Sequence, residues 1–163
     1  MVITGGVITV SDKGSRGQRE DISGREVARM LADLDIRVTD YEIVPDEKEI
    51  IREKIREYTD TKRLDVVVTT GGTGVSPRDV TPDATLEILD RELPGMAEAM
   101  RRESMKKTPH AMISRAVAGI RGHSLVINLP GSPKAARENL AVVLPALKHT
   151  IEKATGDESD CGG

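Results

Sequence analysis

Residues 69–83 read Thr-Thr-Gly-Gly-Thr-Gly-Val-Ser-Pro-Arg-Asp-Val-Thr-Pro-Asp, and they follow directly on the apolar run at residues 64–68. A β-branched run of this kind is typical of a buried parallel strand, and ligands bind at the carboxyl ends of such strands. Glycines at that point tolerate positive φ angles and let several backbone N–H groups approach a phosphate. The stretch therefore predicts an α/β fold with a phosphate site at the end of this strand.

The expected phosphate ligands are the loop residues Thr70, Gly71, Gly72, Thr73 and Gly74. Thr81 and Pro82 predict a helix start with Thr81 as the N-cap, so Asp79 and Asp83 lie beside a helix N-terminus. Two carboxylates there either hold a divalent cation against phosphate or stabilise the helix dipole, and the residues leave both interpretations open. No Gly-Lys-Ser/Thr follows the loop and no Gly-x-Gly-x-x-Gly occurs in it, so neither a P-loop nor a dinucleotide fingerprint is present.

Composition limits the class of protein. The 163 residues fit one domain, predicted over residues 1–155, with residues 156–163 expected to form a disordered polar tail that contains the single Cys161. The net charge of −3, with both signs interspersed, argues against general nucleic-acid binding. No segment reaches the ~20 apolar residues of a membrane span and no secretory leader is evident, so we expect a cytoplasmic protein that does not contact membranes.

Strands and helices alternate along the chain, which is typical of a three-layer α/β domain. Strands are predicted at residues 6–10, 36–44, 64–68 and 124–129. Helices are predicted at residues 82–91, at 95–106 and from 133 to about 154, in addition to one opened by a capping box of Ser23 and Glu26 and one built on Ile51 and Ile55. Residues 108–122 are expected to be irregular.

Four segments follow predicted strands at the same edge of the sheet, and in an open α/β sheet such segments meet in one crevice. They supply the candidate residues Ser11, Asp12, Asp46, Pro130, Gly131, Ser132 and Lys134, beside the glycine loop. Asp46 also suits a helix N-cap with Glu49 three positions on, and Ser132 suits an ordinary cap with a solvated Lys134.

Ser114 and Arg115 offer a hydroxyl and a bidentate phosphate ligand, although surface arginines are common. The histidines His110, His123 and His149 have no metal-ligand spacing and no partner cysteines. Together, the glycine loop, the carboxylates beside it and the candidate polar and basic side chains indicate a magnesium-assisted phosphate site without a protein nucleophile.

The chain resembles the MogA/MoaB family of molybdenum cofactor biosynthesis, which includes the gephyrin G domain. The resemblance runs in order from about residue 6 to residue 154. It is carried by the loop at residues 69–83 and by the motifs Thr-Val-Ser-Asp (9–12), Asp-Ile-Ser-Gly (21–24), Val-Pro-Asp-Glu (44–47), Leu-Pro-Gly-Met-Ala-Glu (93–98), Ser-Arg-Ala-Val-Ala-Gly-Ile-Arg-Gly (114–122) and Ile-Asn-Leu-Pro-Gly-Ser-Pro-Lys (127–134).

This resemblance implies a three-layer α/β/α molybdopterin-binding fold with a mostly parallel sheet, assembled as a homotrimer or a hexamer. Active members of the family adenylylate molybdopterin: its terminal phosphate attacks the α-phosphate of MgATP and pyrophosphate leaves. On that basis Asp46 and Asp79 match the acidic residues that handle Mg²⁺ and nucleotide, and residues 70–74 match the phosphate loop. The remaining matched positions, which are expected to line the substrate site, are Ser11, Asp12, Asp83, Glu98, Ser114, Arg115, Pro130, Gly131, Ser132 and Lys134. A carrier that binds molybdopterin without turnover is the alternative, and the metal, molybdenum or tungsten, enters only after adenylylation.

Overall fold

The structure, a computed structural model, describes residues 2–159. Within these residues a six-stranded sheet has the order β2-β1-β3-β6-β5-β4. The strands are β1 (Ile3–Val10), β2 (Ile36–Val44), β3 (Val66–Thr70), β4 (Arg91–Glu92), β5 (Ala118–Arg121) and β6 (Ser124–Leu129). The helices are α1 (Asp12–Ser15), α2 (Ile22–Asp33), α3 (Lys48–Arg56), α4 (Thr81–Ile88), α5 (Pro94–Met105) and α6 (Pro133–Ala154), with a π-helical turn at Glu57–Thr61 and a 3₁₀ helix at Pro109–Ile113.

Helices cover both faces of the sheet, so the fold is the expected three-layer α/β/α arrangement. Successive side chains of β3 alternate between the two faces, as the strand repeat requires. Val66 and Val68 join the cluster beneath α2, α5 and α6, whereas Val67 joins the cluster beneath α3 and α4. The central strands are therefore buried on both faces, which explains why apolar residues stand at consecutive positions in them, as at residues 66–68 of β3.

The four strands β2, β1, β3 and β6 are parallel, β5 pairs antiparallel with β6, and β4 pairs antiparallel with β5. From β1 the chain continues to β2, which lies beside β1 at one edge of the sheet. From β3 it continues to β4, β5 and β6, which lie on the opposite side of β3 within the sheet. The topological switch point therefore lies between the carboxyl ends of β1 and β3, where ligands bind in open α/β sheets.

The predicted bounds of β2 and β6 are confirmed, and residues 108–122 are more regular than predicted. They contain the 3₁₀ helix and β5, whose Ala-Gly-Ile-Arg sequence has a single β-branched residue. Its extended conformation follows from antiparallel pairing with β6, which places Ala118 beside Ile127. The predicted helix at 82–91 ends at Ile88, and Arg91–Glu92 instead pairs with β5 as β4.

Two predicted helix N-caps are wrong, and Asp46, for which an N-cap role was left open, is not an N-cap. The N-cap of α4 is Val80 rather than Thr81, and the N-cap of α2 is Asp21 rather than Ser23. The N-cap of α3 is Glu47, so Asp46 precedes the cap. Ser132 caps α6 as predicted and accepts a hydrogen bond from the amide of Ala135 at 3.2 Å. The three side chains without cap roles, Ser23, Asp46 and Thr81, make longer-range contacts described below.

α6 ends at Ala154, next to the predicted domain boundary, and that boundary stays a prediction. Residues 160–163 of the predicted tail, including Cys161, lie outside the described residues. In the part of the chain that the structure describes, no helix combines the length and apolar character needed to cross a bilayer.

Candidate active site

A cleft of about 670 Å³ opens at the carboxyl edge of the sheet, at the switch point between β1 and β3. Among the residues predicted from sequence, it is lined by Ser11, Asp12, Asp46, Thr70, Gly71, Gly72, Asp79, Gly131 and Ser132. The four strand ends therefore meet in one crevice, as the sequence predicts. Lys13 and Arg19 also line it and bring positive charge that the sequence reasoning did not single out.

The glycine loop can follow its path only without side chains. Gly71 has a φ of +104°, and a Cβ there would lie 2.3 Å from the carbonyl oxygen of Val10. Gly72 has a φ of +67°, and its Cβ would lie 2.5 Å from Thr81 Oγ1. The loop consequently packs against β1 and leaves its backbone open to the cleft.

A buried chain of hydrogen bonds holds this loop to α4 and to β6. The amide of Thr81 donates to the carbonyl of Gly72 at 3.1 Å, and its hydroxyl donates to the carbonyl of Gly71 at 2.9 Å. Thr85 donates to the carbonyl of Thr81 at 2.8 Å, and Asn128 Nδ2 donates to Thr85 Oγ1 at 3.0 Å. Because Thr81, Thr85 and Asn128 are completely buried, these bonds are shielded from competition by water.

The turn between β6 and α6 is held in the same way. Thr70 Oγ1 donates to the carbonyl of Pro130 at 2.7 Å, and Ser23 Oγ donates to the carbonyl of Gly131 at 2.6 Å. These bonds hold the turn that leads into α6, whose N-terminus lies at the cleft and has a dipole that favours an anion. Ser23 was missed as a site residue because its spacing to Glu26 is that of a capping box.

Asp12 and Asp46 are joined across the cleft by two hydrogen bonds. The amide of Asp12 donates to Asp46 Oδ2 at 2.9 Å, and the amide of Asp46 donates to Asp12 Oδ1 at 3.0 Å. Arg78 donates to both oxygens of Asp12, at 3.0 and 2.9 Å. The Arg78 guanidinium, helped by the backbone of Asp46, holds the pKa of the Asp12 carboxyl below its usual range.

Asp46 has the opposite electrostatic environment. Burial raises the pKa of its carboxyl, and the negative charges of Asp12 and Asp79 raise that pKa further, against the hydrogen bond from Asp12 and the charge of Arg78. Its Oδ1 accepts no hydrogen bond from any residue between 2 and 159. This oxygen lies close to the glycine loop, 3.1 Å from the place that a Cβ would take if Gly72 carried one. The site thus concentrates negative charge beside the glycine loop, and a cation there would offset it.

A second cavity, of about 230 Å³, lies on the other side of the loop beneath the 3₁₀ helix. Thr73, Gly74, Ser114 and Pro130 line it among the predicted residues, with Ile113 and Ala135 beside them. Most of the surface that it exposes is apolar, although Arg101, His110 and Glu138 also line it, and such a surface suits an organic ligand with a few polar groups. The glycine loop and the Pro130 turn therefore separate a polar cleft from an apolar pocket.

Four predicted site residues line neither cavity: Asp83, Glu98, Arg115 and Lys134. Glu98 lies exposed on α5 and Lys134 lies exposed at the start of α6. Asp83 forms an ion pair with Arg115 at 3.2 Å. The guanidinium of Arg115 is directed at protein groups rather than at either cavity.

Among residues 2–159, no group of three or more His, Cys, Asp or Glu side chains is placed to hold a metal ion. A Mg²⁺ site does not require three such side chains, because this ion is commonly bound by one or two carboxylates together with substrate phosphates and water.

Comparisons with known proteins show the family to which this chain belongs. Residues 6–149 match a family described as a probable molybdopterin binding domain. The chain belongs to this molybdopterin-binding family. A family relative, molybdopterin adenylyltransferase of Helicobacter pylori strain J99, is 43% identical over 154 residues, which cover 93% of this chain and 88% of that protein.

Two solved structures of the family have the same fold. The molybdopterin biosynthesis enzyme MoaB of Thermus thermophilus superposes with a TM-score of 0.90 at 51% identity, over 94% of this chain and 97% of that one. The tungsten cofactor synthesizing protein MoaB of Pyrococcus furiosus superposes with a TM-score of 0.83 at 38% identity, over the same shares of the two chains. The family resemblance inferred from the sequence motifs is therefore confirmed.

Proposed function

We propose that this chain is a molybdopterin adenylyltransferase that takes ATP and molybdopterin as substrates. In the reaction, an oxygen of the terminal molybdopterin phosphate bonds to the α-phosphorus of ATP. The bond from that phosphorus to the bridging oxygen of the β-phosphate breaks, and pyrophosphate leaves with the electron pair. The supporting observation is the junction of a polar cleft, which contains the glycine loop and the carboxylates of Asp46 and Asp79, with an apolar pocket across that loop.

Each cavity suits one substrate chemically. For phosphates the cleft offers backbone N–H groups of the glycine loop and the positive dipole end of α6, with Lys13 and Arg19 to offset their charge. The apolar pocket suits the flat pterin ring, with Ser114 as a polar contact at its edge. The two reacting phosphates would then meet at the loop between the cavities.

The residues present suit a magnesium ion. Asp46 has one carboxylate oxygen without a hydrogen-bond donor among residues 2–159, and its pKa is raised by burial and by neighbouring negative charge, so a cation would stabilise its ionised form. Asp46 and Asp79 would hold Mg²⁺ together with phosphate oxygens of ATP. Bound there, the ion would neutralise charge on the transferring phosphate.

The protein's own part in this reaction is positioning. A phosphate nucleophile is already anionic near neutral pH, so no general base is required to activate it. The Gly71 amide already donates to the carbonyl of Leu129 at 3.0 Å, so the amides of residues 72–74 are the loop donors that would stabilise charge on the α-phosphate. The buried hydrogen bonds of Thr81 and Asn128 keep those donors in place. This agrees with a site that has carboxylates and glycines but no catalytic triad.

The test is a pyrophosphate-release assay with the purified chain, molybdopterin, ATP and Mg²⁺. We expect stoichiometric formation of pyrophosphate and adenylylated molybdopterin. Tight molybdopterin binding without ATP-dependent pyrophosphate release would instead identify a carrier. Because the metal enters after adenylylation, the proposal is the same for a molybdenum and a tungsten pathway. A trimeric or hexameric assembly and a cytoplasmic location stay predictions from the sequence.

A further inference from the structure

The guanidinium of Arg115 holds both ends of the segment between the glycine loop and α4, residues 74–79. Its Nε donates to the carbonyl of Gly74 at 2.8 Å, and its Nη2 donates to the carbonyl of Asp79 at 2.6 Å. Its Nη1 lies 3.2 Å from each carboxylate oxygen of Asp83, in the first turn of α4. One side chain therefore connects the start of the segment, its end and the helix that follows.

All three nitrogens of this guanidinium are used by the protein, and the backbone amide of Arg115 donates to the carbonyl of Thr73 at 2.8 Å. The side chain lines neither cavity. A planar fork with donors in fixed directions can connect three acceptors in this way, whereas the single ammonium of a lysine cannot.

Apart from Arg115, the segment is held by the ion pair of Arg78 with Asp12 and by the turn between Ser76 and Asp79. Residues 75–78 are exposed, and the Val75 side chain is 64% accessible. At the end of the segment, Asp79 Oδ2 accepts a hydrogen bond from the amide of Ser76 at 3.1 Å. The same oxygen lies 2.9 Å from the place that a Cβ would take if Gly74 carried one. Arg115 therefore bonds the backbone at both ends of the segment that carries the Asp79 carboxylate.

We propose that Arg115 is a positioning residue that sets the Asp79 carboxylate in the cleft through the carbonyls of Gly74 and Asp79, with Asp83 orienting the guanidinium, and that it binds no substrate phosphate. The proposal rests on the proposed function for its kinetic readout. Its structural readout, the rigidity of residues 74–79, is independent of catalysis.

The test uses Arg115→Lys, Asp83→Asn and the double variant. Arg121→Lys is the matched control, because Arg121 also donates to both oxygens of one carboxylate, Asp60, and to one backbone carbonyl, at the opposite end of the sheet. In the ligand-free proteins we expect amide hydrogen exchange at Ser76 and Asp79, whose N–H groups are hydrogen-bonded within the segment, to be at least about tenfold faster in Arg115→Lys than in the wild type. Asp83→Asn should accelerate the same amides to a smaller extent, and Arg121→Lys should leave them unchanged.

In steady-state kinetics, positioning predicts a fall of roughly 10- to 100-fold in kcat for Arg115→Lys and a higher Mg²⁺ concentration at half-maximal rate, with KM for molybdopterin within about twofold of the wild-type value. The double variant should be no worse than Arg115→Lys, because both changes remove the same support. A phosphate ligand predicts a different pattern: retained charge in Arg115→Lys with a raised KM, and no loss in Asp83→Asn.

Unchanged amide exchange in Arg115→Lys, or independent effects of the two substitutions on kcat, would overturn the proposal. Asp83→Asn keeps the exchange test available if Arg115→Lys folds poorly. A wild-type chain without turnover would count against the proposed function alone, and the exchange measurements would still decide the role of Arg115.

Discussion

Replacing Asp79 with Asn tests the candidate active site with little disturbance of the fold. An Asn oxygen can accept the same hydrogen bond from the amide of Ser76. Asp79 precedes α4, so loss of its charge removes at most ~1 kcal/mol of helix-dipole stabilisation. The change also removes one of the negative charges that disfavour ionised Asp46. We therefore expect the free energy of unfolding to change by no more than about 1 kcal/mol.

The effect on catalysis should be much larger. An anionic ligand that stabilises charge in the transition state by ~3–4 kcal/mol corresponds to a loss of roughly 10²–10³-fold in turnover. Molybdopterin binding should change little, because the apolar pocket is not lined by Asp79. The measurements are pyrophosphate release at saturating Mg²⁺, ATP and molybdopterin, molybdopterin binding at equilibrium, and urea unfolding of the same preparation.

Asp90→Asn is the matched control. Asp90 Oδ2 accepts a single backbone amide, that of Gly122, at 2.7 Å, at the end of the sheet away from the cleft. We expect its turnover to equal that of the wild type. If Asp79→Asn also turns over at a near-wild-type rate under saturating conditions, Asp79 is only a helix-dipole partner and the assigned site is refuted.

Three further outcomes are expected. Asp46→Asn should abolish turnover yet raise the Tm at pH 7, because the folded-state pKa of Asp46 lies above its ordinary value and its ionisation costs stability as pH rises through that folded-state pKa. The gain in Tm should disappear below about pH 4, where the carboxyl is protonated in both the folded and the unfolded state. Thermal unfolding from about pH 3 to 8 is the measurement, and a gain in Tm that does not change with pH would contradict this reasoning. Gly71→Ala should destabilise the fold by more than ~3 kcal/mol in urea unfolding, since strain at φ +104° adds to a clash with the Val10 carbonyl, whereas Gly122→Ala, at φ +57° in open space, should cost about 1 kcal/mol. Light scattering should give a trimer or a multiple of it, because Met112 is 67% exposed and offers apolar surface for another chain; a single species of 17.7 kDa would contradict this.

Most of the parallel core was predictable because its signals are local. The run at residues 124–129 is mostly apolar, with Ser124 and Asn128 as its polar members, and it is bounded by turn residues and forms β6 with those bounds. β5 was not predictable, since Ala-Gly-Ile-Arg has no strong strand preference and is extended only through its pairing with β6. The short β4 at Arg91–Glu92 was missed for the same reason.

The amino-acid pattern was enough to predict the parallel strands, the glycine turn after β3 and the convergence of Asp46 and Asp79 on one edge, because β-branched runs, glycines and strand ends act within a few residues. The partner of each polar side chain, in contrast, depended on the folded chain. Ser23 has the spacing of a cap yet donates to Gly131, 108 positions away, and Arg115 has the chemistry of a phosphate ligand yet binds the segment that carries Asp79. A buried or half-buried donor bonds to the acceptor that folding brings nearest, and here that acceptor comes from another part of the chain.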